Sequence, residues 1–152
     1  MKRHPALRQL SHDHHQGLIL AQQLKKGAPQ YKGMPSTSEG KKEYAMLFYN
    51  NELIKHFEDE EKILFSSTSG RSAEIDRLIS EIVSEHRHIE KLFDKLRENA
   101  DIENTMDELG WLLEKHIRKE ERKLFVEIEK ILSNDELNTI SEKISKSGKH
   151  KQ

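Results

Sequence analysis

The sequence contains no cysteine, only three prolines and one tryptophan, and no long apolar run in its 152 residues. Without cysteine there are no disulfides, thiolate metal sites, iron–sulfur clusters or cysteine nucleophiles, so any metal must be held by nitrogen and oxygen. A net charge of −1 with both signs interleaved provides no basic stripe for nucleic acid and no polybasic segment for anionic lipid. No stretch approaches transmembrane length, and Met1-Lys2-Arg3-His4-Pro5 runs into polar helix without a secretory core, so a cytoplasmic chain is expected. Phosphate loops and nucleophile motifs are also missing, which sets aside hydrolase, kinase and nucleotide-binding readings. Apolar residues make up 34% and charged residues 35%. That balance would suggest disorder, but the apolar residues recur at helical spacing. The expectation is one all-α domain over residues 1–152, with a bundle at about 5–132 and a C-terminal helix at about 134–147.

What is present is a repeat. His56-Phe57-Glu58-Asp59-Glu60-Glu61-Lys62-Ile63-Leu64-Phe65 and His116-Ile117-Arg118-Lys119-Glu120-Glu121-Arg122-Lys123-Leu124-Phe125 share a pattern and lie sixty residues apart. On a helix a residue and its fourth neighbour share a face, which puts His56 beside Glu60 and His116 beside Glu120. Each pair is half of a metal site.

The first helix opens at Pro5, suited to a first helical position, and its stripe runs Leu7, Leu10, His14, Leu18, Ala21, Leu24 up to Gly27-Ala28-Pro29. A polar connection to about Gly40 follows, with Ser36 and Glu39 resembling a capping box. The second helix is expected from about Lys41 to Phe65, the third from about Ala73 to Arg97 with His86 in its stripe, and the fourth from about Ile102 or Thr105 to Leu132. Ser133-Asn134-Asp135-Glu136 caps a short fifth helix, and the chain from Ser147 to Gln152 is expected to fray. Asp13-His14 resembles Glu85-His86, an acidic residue before a stripe histidine. Two hairpins, each giving a lone His and then His-x-x-x-Glu, form an up-down-up-down four-helix bundle.

A polar ring in an apolar stripe must find a partner or lose roughly 1–3 kcal/mol, and a lone buried carboxylate costs more. Four histidines and two glutamates at core positions of four helices therefore point to metal. Glutamates from opposite helices can bridge two cations while histidines cap them. Imidazole and carboxylate ligands suit iron, manganese or zinc, and a non-haem centre of two Fe ions fits best, with Zn or Mn as substitutes.

The set Asp13-His14, His56-Phe57-x-x-Glu60-Glu61, Glu85-His86 and His116-x-x-x-Glu120-Glu121 resembles the hemerythrin-like, or HHE cation-binding, family from about Leu7 to Leu132. The resemblance implies a four-helix bundle around a di-iron centre, with His14, His56, His86 and His116 as terminal ligands and Glu60 and Glu120 as bridges. It also implies a small ligand such as O2, NO or a peroxide, bound, sensed or turned over by an oxidase, peroxidase or NO-reductase type of enzyme. Iron handling is the other implied role; a structural or regulatory module held together by metal is a separate expectation, since metal-binding free energy can be folding free energy. The oxygen carriers of that family have His-x-x-x-His in the third helix, where this chain has Glu90, and an Asp five residues after the fourth-helix His, where it has Glu121. The likeness is thus to a carboxylate-richer branch associated with sensing, iron handling and oxidative or nitrosative stress.

Some assignments stay open in the sequence. His15 could replace His14, and Glu90 is either a further ligand or a surface residue. Glu58, Asp59, Glu61 and Glu121 read as solvated faces, with Glu61 and Glu121 near enough to orient ligands. Tyr49, Trp111, Phe65 and Phe125 read as packing residues, and His4, His12, His88 and His150 as surface or terminal ones. No nucleic-acid or membrane partner is expected, and the chain is expected as a monomer or weak homo-oligomer.

Overall fold

In the computed structural model, which describes residues 3–149, five helices follow one another and there is no strand among the described residues. Helix α1 is Pro5–Leu24, α2 spans 38–68, α3 is Ala73–Arg97, α4 spans 102–131 and α5 is Asn134–Lys149. Pro5 opens α1, as its fixed φ and missing N–H favour. The cap of α2 differs from expectation: the Thr37 hydroxyl, not Ser36, accepts from the Gly40 amide at 3.0 Å, so the helix starts at Ser38. Ser133 and Glu136 do form a reciprocal box at the start of α5, with distances of 3.1 and 2.9 Å. Of the tail expected to fray, residues 150–152, His150 included, lie outside the described residues.

Both long even-numbered helices widen where their motif passes its first glutamate. The amide of Phe65 reaches back to the Glu60 carbonyl and that of Phe125 to the Glu120 carbonyl, each a five-residue π turn. A third π turn, Tyr49–Leu53, occurs in α2 alone. The wide turn changes the angular step along the helix. As a result Glu60, Leu64 and Phe65 are all buried, as are Glu120, Leu124 and Phe125.

Apolar residues form two clusters. One gathers Leu7, Leu10, Leu64, Phe65, Ile82 and Phe125, and α5 covers it with Leu137, Ile140 and Ile144. The other gathers Leu20, Leu53, Phe57, Ile89, Phe93 and Leu113. His14, His56, His86, His116, Glu60 and Glu120 are buried along the same helices, at positions between the residues of the two clusters. Helices α1 and α4 approach closely: a Cβ on Gly110 would lie 2.7 Å from the Ala21 carbonyl oxygen, and one on Gly17 would lie 2.8 Å from Ile117 Cδ1. Trp111 departs from the packing expected of it; it is 58% exposed, with the Lys25 ammonium 3.9 Å above its ring.

Candidate metal centre

Six buried side chains from four helices converge, falling into two overlapping groups among the described residues: His14, His56, Glu60 and Glu120, and Glu60, His86, His116 and Glu120. Within each group the donor atoms lie within 4.8 Å of one another, and the two glutamates belong to both. His56 Nε2 is 3.3 Å from Glu60 and 3.1 Å from His14 Nε2, His14 Nε2 is 3.0 Å from Glu120, and His86 Nε2 is 3.1 Å from Glu60.

The outward nitrogen of every ring is occupied. His14 Nδ1 donates to Glu121 at 2.6 Å, His116 to Glu85 at 2.8 Å, His86 to Glu61 at 2.6 Å and His56 to Asp13 at 3.0 Å. These bonds form a closed ring: the histidine of α1 is held by α4, that of α4 by α3, that of α3 by α2, and that of α2 by α1. The residue before each lone histidine grips the ring on the following helix, and the second glutamate of each Glu-Glu pair grips a lone histidine. Glu61 and Glu121 therefore orient the rings. With Nδ1 committed as donor, Nε2 points inward on every ring and in the neutral ring offers its lone pair there, the arrangement of a carboxylate–histidine–metal site.

Nε2 of His14 and of His56 face each other at 3.1 Å, and the other inward atoms lack hydrogen-bond partners. Both oxygens of Glu60, both of Glu120, and Nε2 of His86 and of His116 are buried without a hydrogen-bond partner. Such groups are costly unless something positive lies among them. Their nitrogen and oxygen chemistry fits two first-row cations.

The metal-free electrostatics show the same strain. Burial works to lower His56, but Glu60 and Asp13 raise it to about 9. His86, also opposed by burial, is raised to about 9 by Glu60 and Glu61. His14 likewise rises, through Glu120, Glu121 and Glu60. His116 goes the other way, lowered to about 4 by burial despite Glu85. Glu120 is pushed up to about 8 by burial and by Glu60 beside it, the direction expected of two carboxylates facing each other without a cation between them.

The open alternatives separate cleanly. His15 is exposed, and Glu90 is 32% exposed and paired with Arg87 at 3.2 Å; neither joins a donor group. His88 is exposed and faces Glu108, as expected of a surface residue. Asp59 is not on a solvated face but buried, accepting from Lys55 at 2.5 Å and from Ser147 of α5 at 2.8 Å. Phe125 stacks on His14 at 5.4 Å and Phe65 on His86 at 6.1 Å, and Tyr49 stacks on Phe93 at 4.2 Å.

Sequence reading missed the cavity. A space of about 440 Å³ opens between α1, α2 and α4 and reaches His14, His56 and His116. Gly17 lines it, where the matching position of α3, three residues after its lone histidine, holds Ile89. Comparing the two hairpins residue by residue would have exposed the difference.

Among the described residues no helix is long and apolar enough to cross a membrane. Neither the curated proteins nor the solved structures yield a match to the chain. The sequence does match the hemerythrin HHE cation binding domain over residues 6–128, with a second, overlapping match over 77–142. With its buried histidine and glutamate groups arranged to receive cations, the chain belongs to the hemerythrin HHE cation-binding domain family.

Proposed function

We propose that the chain is a non-haem di-iron protein that binds or senses a small ligand such as O2 or NO, or handles iron. The observation that carries this reading is the convergence of six buried, partnerless acceptor atoms on Glu60, Glu120, His86 and His116. In this reading His14 and His56 hold one cation, His86 and His116 the other, and Glu60 and Glu120 are shared. Zinc or manganese could be held by the same donors, and the nitrogen-rich set favours first-row metals over Mg²⁺ or Ca²⁺. A pair of irons would supply redox change and open coordination positions for a small ligand.

The protein's own part is to orient and to exclude. Asp13, Glu61, Glu85 and Glu121 fix the ring planes and tautomers, so the four Nε2 atoms need no rearrangement on metal binding. Phe57, 3.8 Å from the His86 ring, and Phe65 and Phe125 keep water from the ring faces. A second reading, turnover by an oxidase, peroxidase or NO-reductase type of enzyme, is favoured by the cavity at His14 and His56, which gives a substrate a path to that half.

Elemental analysis of protein purified without added metal, with its visible spectrum before and after air, tests the proposal. About two irons per chain and an oxygen- or NO-dependent spectral change are expected; no metal even after anaerobic iron loading would overturn it. Repeated turnover with a reductant, lost in Glu60→Ala, would select the enzymatic reading.

A further inference from the structure

The two halves carry matching ligands but unmatched walls. On the α3 side Ile89 is fully buried, and Phe57 lies nearly parallel to His86 with ring centres 3.8 Å apart. On the α1 side Gly17 takes the place of Ile89, and Ile117, the counterpart of Phe57, leans toward Gly17. The cavity of about 440 Å³ opens beside Gly17 and Ile117 and reaches His14, His56 and His116, with the edge of Phe57 on its border.

Its size and lining select a kind of occupant. A water-sized molecule occupies about 30 Å³, whereas pockets for organic ligands run from about 300 to 1,000 Å³. A diatomic gas would leave most of this space unfilled. The inner wall is apolar, built from Phe48, Leu53, Leu113 and Ile117, and the rim is polar, with Gln9, Gln16, Asp13 and Glu52. Among the described residues lining it there is no lysine or arginine. The adjoining space of about 510 Å³ under α5 shares Gln9, Asp13 and Glu52, and its one lysine, Lys55, is bound to Asp59 at 2.5 Å. An anion entering past this rim would meet the carboxylates of Asp13 and Glu52 with no lysine or arginine of the rim beside them, before it reached the imidazoles at the floor.

We infer that this cavity is a binding site for an uncharged organic molecule with an apolar body and one hydrogen-bonding end, and that Gly17 is the specificity-determining residue that admits it. The inference rests on the di-iron reading for what the molecule does at the His14–His56 half, but its binding can be read without metal. Gly17 keeps the cavity wall thin: a Cβ there would lie 2.8 Å from Ile117 Cδ1 and 4.0 Å from Phe48 Cζ, two other lining residues, so a large side chain would crowd the space. Asp13 and Glu52 set the charge preference.

Benzyl alcohol and benzoate, alike in ring and unlike in charge, are the probes. Each is titrated by methyl NMR into the metal-free and the zinc-loaded chain, with zinc content measured separately. Benzyl alcohol is expected to shift the methyls of Leu53, Leu113 and Ile117 saturably, and benzoate to bind at least tenfold more weakly, with the gap narrowed in Glu52→Gln. Gly17→Ile should weaken benzyl alcohol at least tenfold without changing zinc content. Leu113→Phe, filling the cavity from the opposite wall, should do the same and decides the matter if the first variant does not fold. No saturable shift with benzyl alcohol, equal binding of benzoate, or wild-type affinity in the filled variants would overturn the inference. Failure of the wild type to take up zinc or iron would instead count against the metal reading and leave the metal-free titration to judge the cavity.

Discussion

His86 is sealed among α2, α3 and α4, whereas His14, His56 and His116 border a cavity, although the two hairpins follow one sequence pattern. Each lone histidine has a phenylalanine of the Leu-Phe pair stacked on it, and each His-x-x-x-Glu histidine has an acidic residue behind it. The halves diverge just outside these atoms. Glu85 also binds Lys119 at 2.5 Å, whereas its counterpart Asp13 has a neutral partner, Gln9, at 3.0 Å; Glu61 and Glu121 are alike in each pairing with an arginine, Arg87 and Arg3. His56 and His116, equivalent in sequence, shift in opposite directions, to about 9 and about 4. The two hairpins share a ligand set, in which one wrong donor would ruin the site, but not the apolar walls around it.

The largest effects should come from breaking what the halves share. Glu60→Ala removes a donor common to both groups and is expected to abolish binding of both cations, whereas His86→Ala should lose only the cation of its own half; metal analysis of the two variants checks this. If Glu60→Ala retained one cation, the shared role would be wrong.

Next come the walls. Ile89→Ala should cost about 2–5 kcal/mol, as deletions of large buried side chains do. Gly17→Ala should stay within about 1 kcal/mol, since the helix gain offsets a small shift of the flexible Ile117 end. Urea unfolding of the metal-free variants gives both numbers.

The opposed histidines sharpen the comparison through pH. His56 and His86, raised from 6.5 to about 9, contribute stability that is full below pH 6.5 and lost as pH rises toward 9. His116, lowered to about 4, contributes stability that is present above 6.5 and lost as pH falls toward 4. Glu120, raised from 4.5 to about 8, loses stability as pH rises through that range and offsets His116 below 6.5. The metal-free protein should therefore lose on the order of a few kcal/mol between pH 6.5 and pH 9. Metal should remove the alkaline loss, because bound cations replace those protons. Melting curves with and without metal across this range provide the test.

Smaller still, Asp13→Asn and Glu85→Gln should each weaken metal affinity by about 10–100-fold, each on its own half. Competition with a chelator would reveal it. At the bottom of the scale, His15→Ala and Glu90→Ala should leave metal content unchanged; a loss in either would return that residue to the ligand set.

Much of this was written in the sequence, and the gaps have physical causes. Apolar spacing marked the helices, and histidines in phase marked the centre, because burial enforces both. Thr37 replaced Ser36 as a cap because either hydroxyl satisfies the local rule and only the path of the chain decides. The partners of the ring nitrogens were visible as neighbours of the ligands, but which helix each would grip depends on packing order. Asp59 looked solvated until α5 brought Ser147 to it. Trp111 looked like a packing residue, yet its face of α4 is outside the bundle, where Lys25 shields it. Gly17 gives no signal by itself, since a missing side chain shows only when it is set against Ile89.

The closed ring of carboxylate–histidine bonds has a kinetic consequence. Every ring is tethered to a neighbouring helix, and the tethers run all the way round, so freeing one ligand disturbs a bond that positions the next. Escape of a cation then becomes a cooperative event instead of a sequence of single dissociations. The residence time of the metal should follow the opening rate of the whole bundle, rising and falling with denaturant as amide exchange in the α1 and α4 cores does.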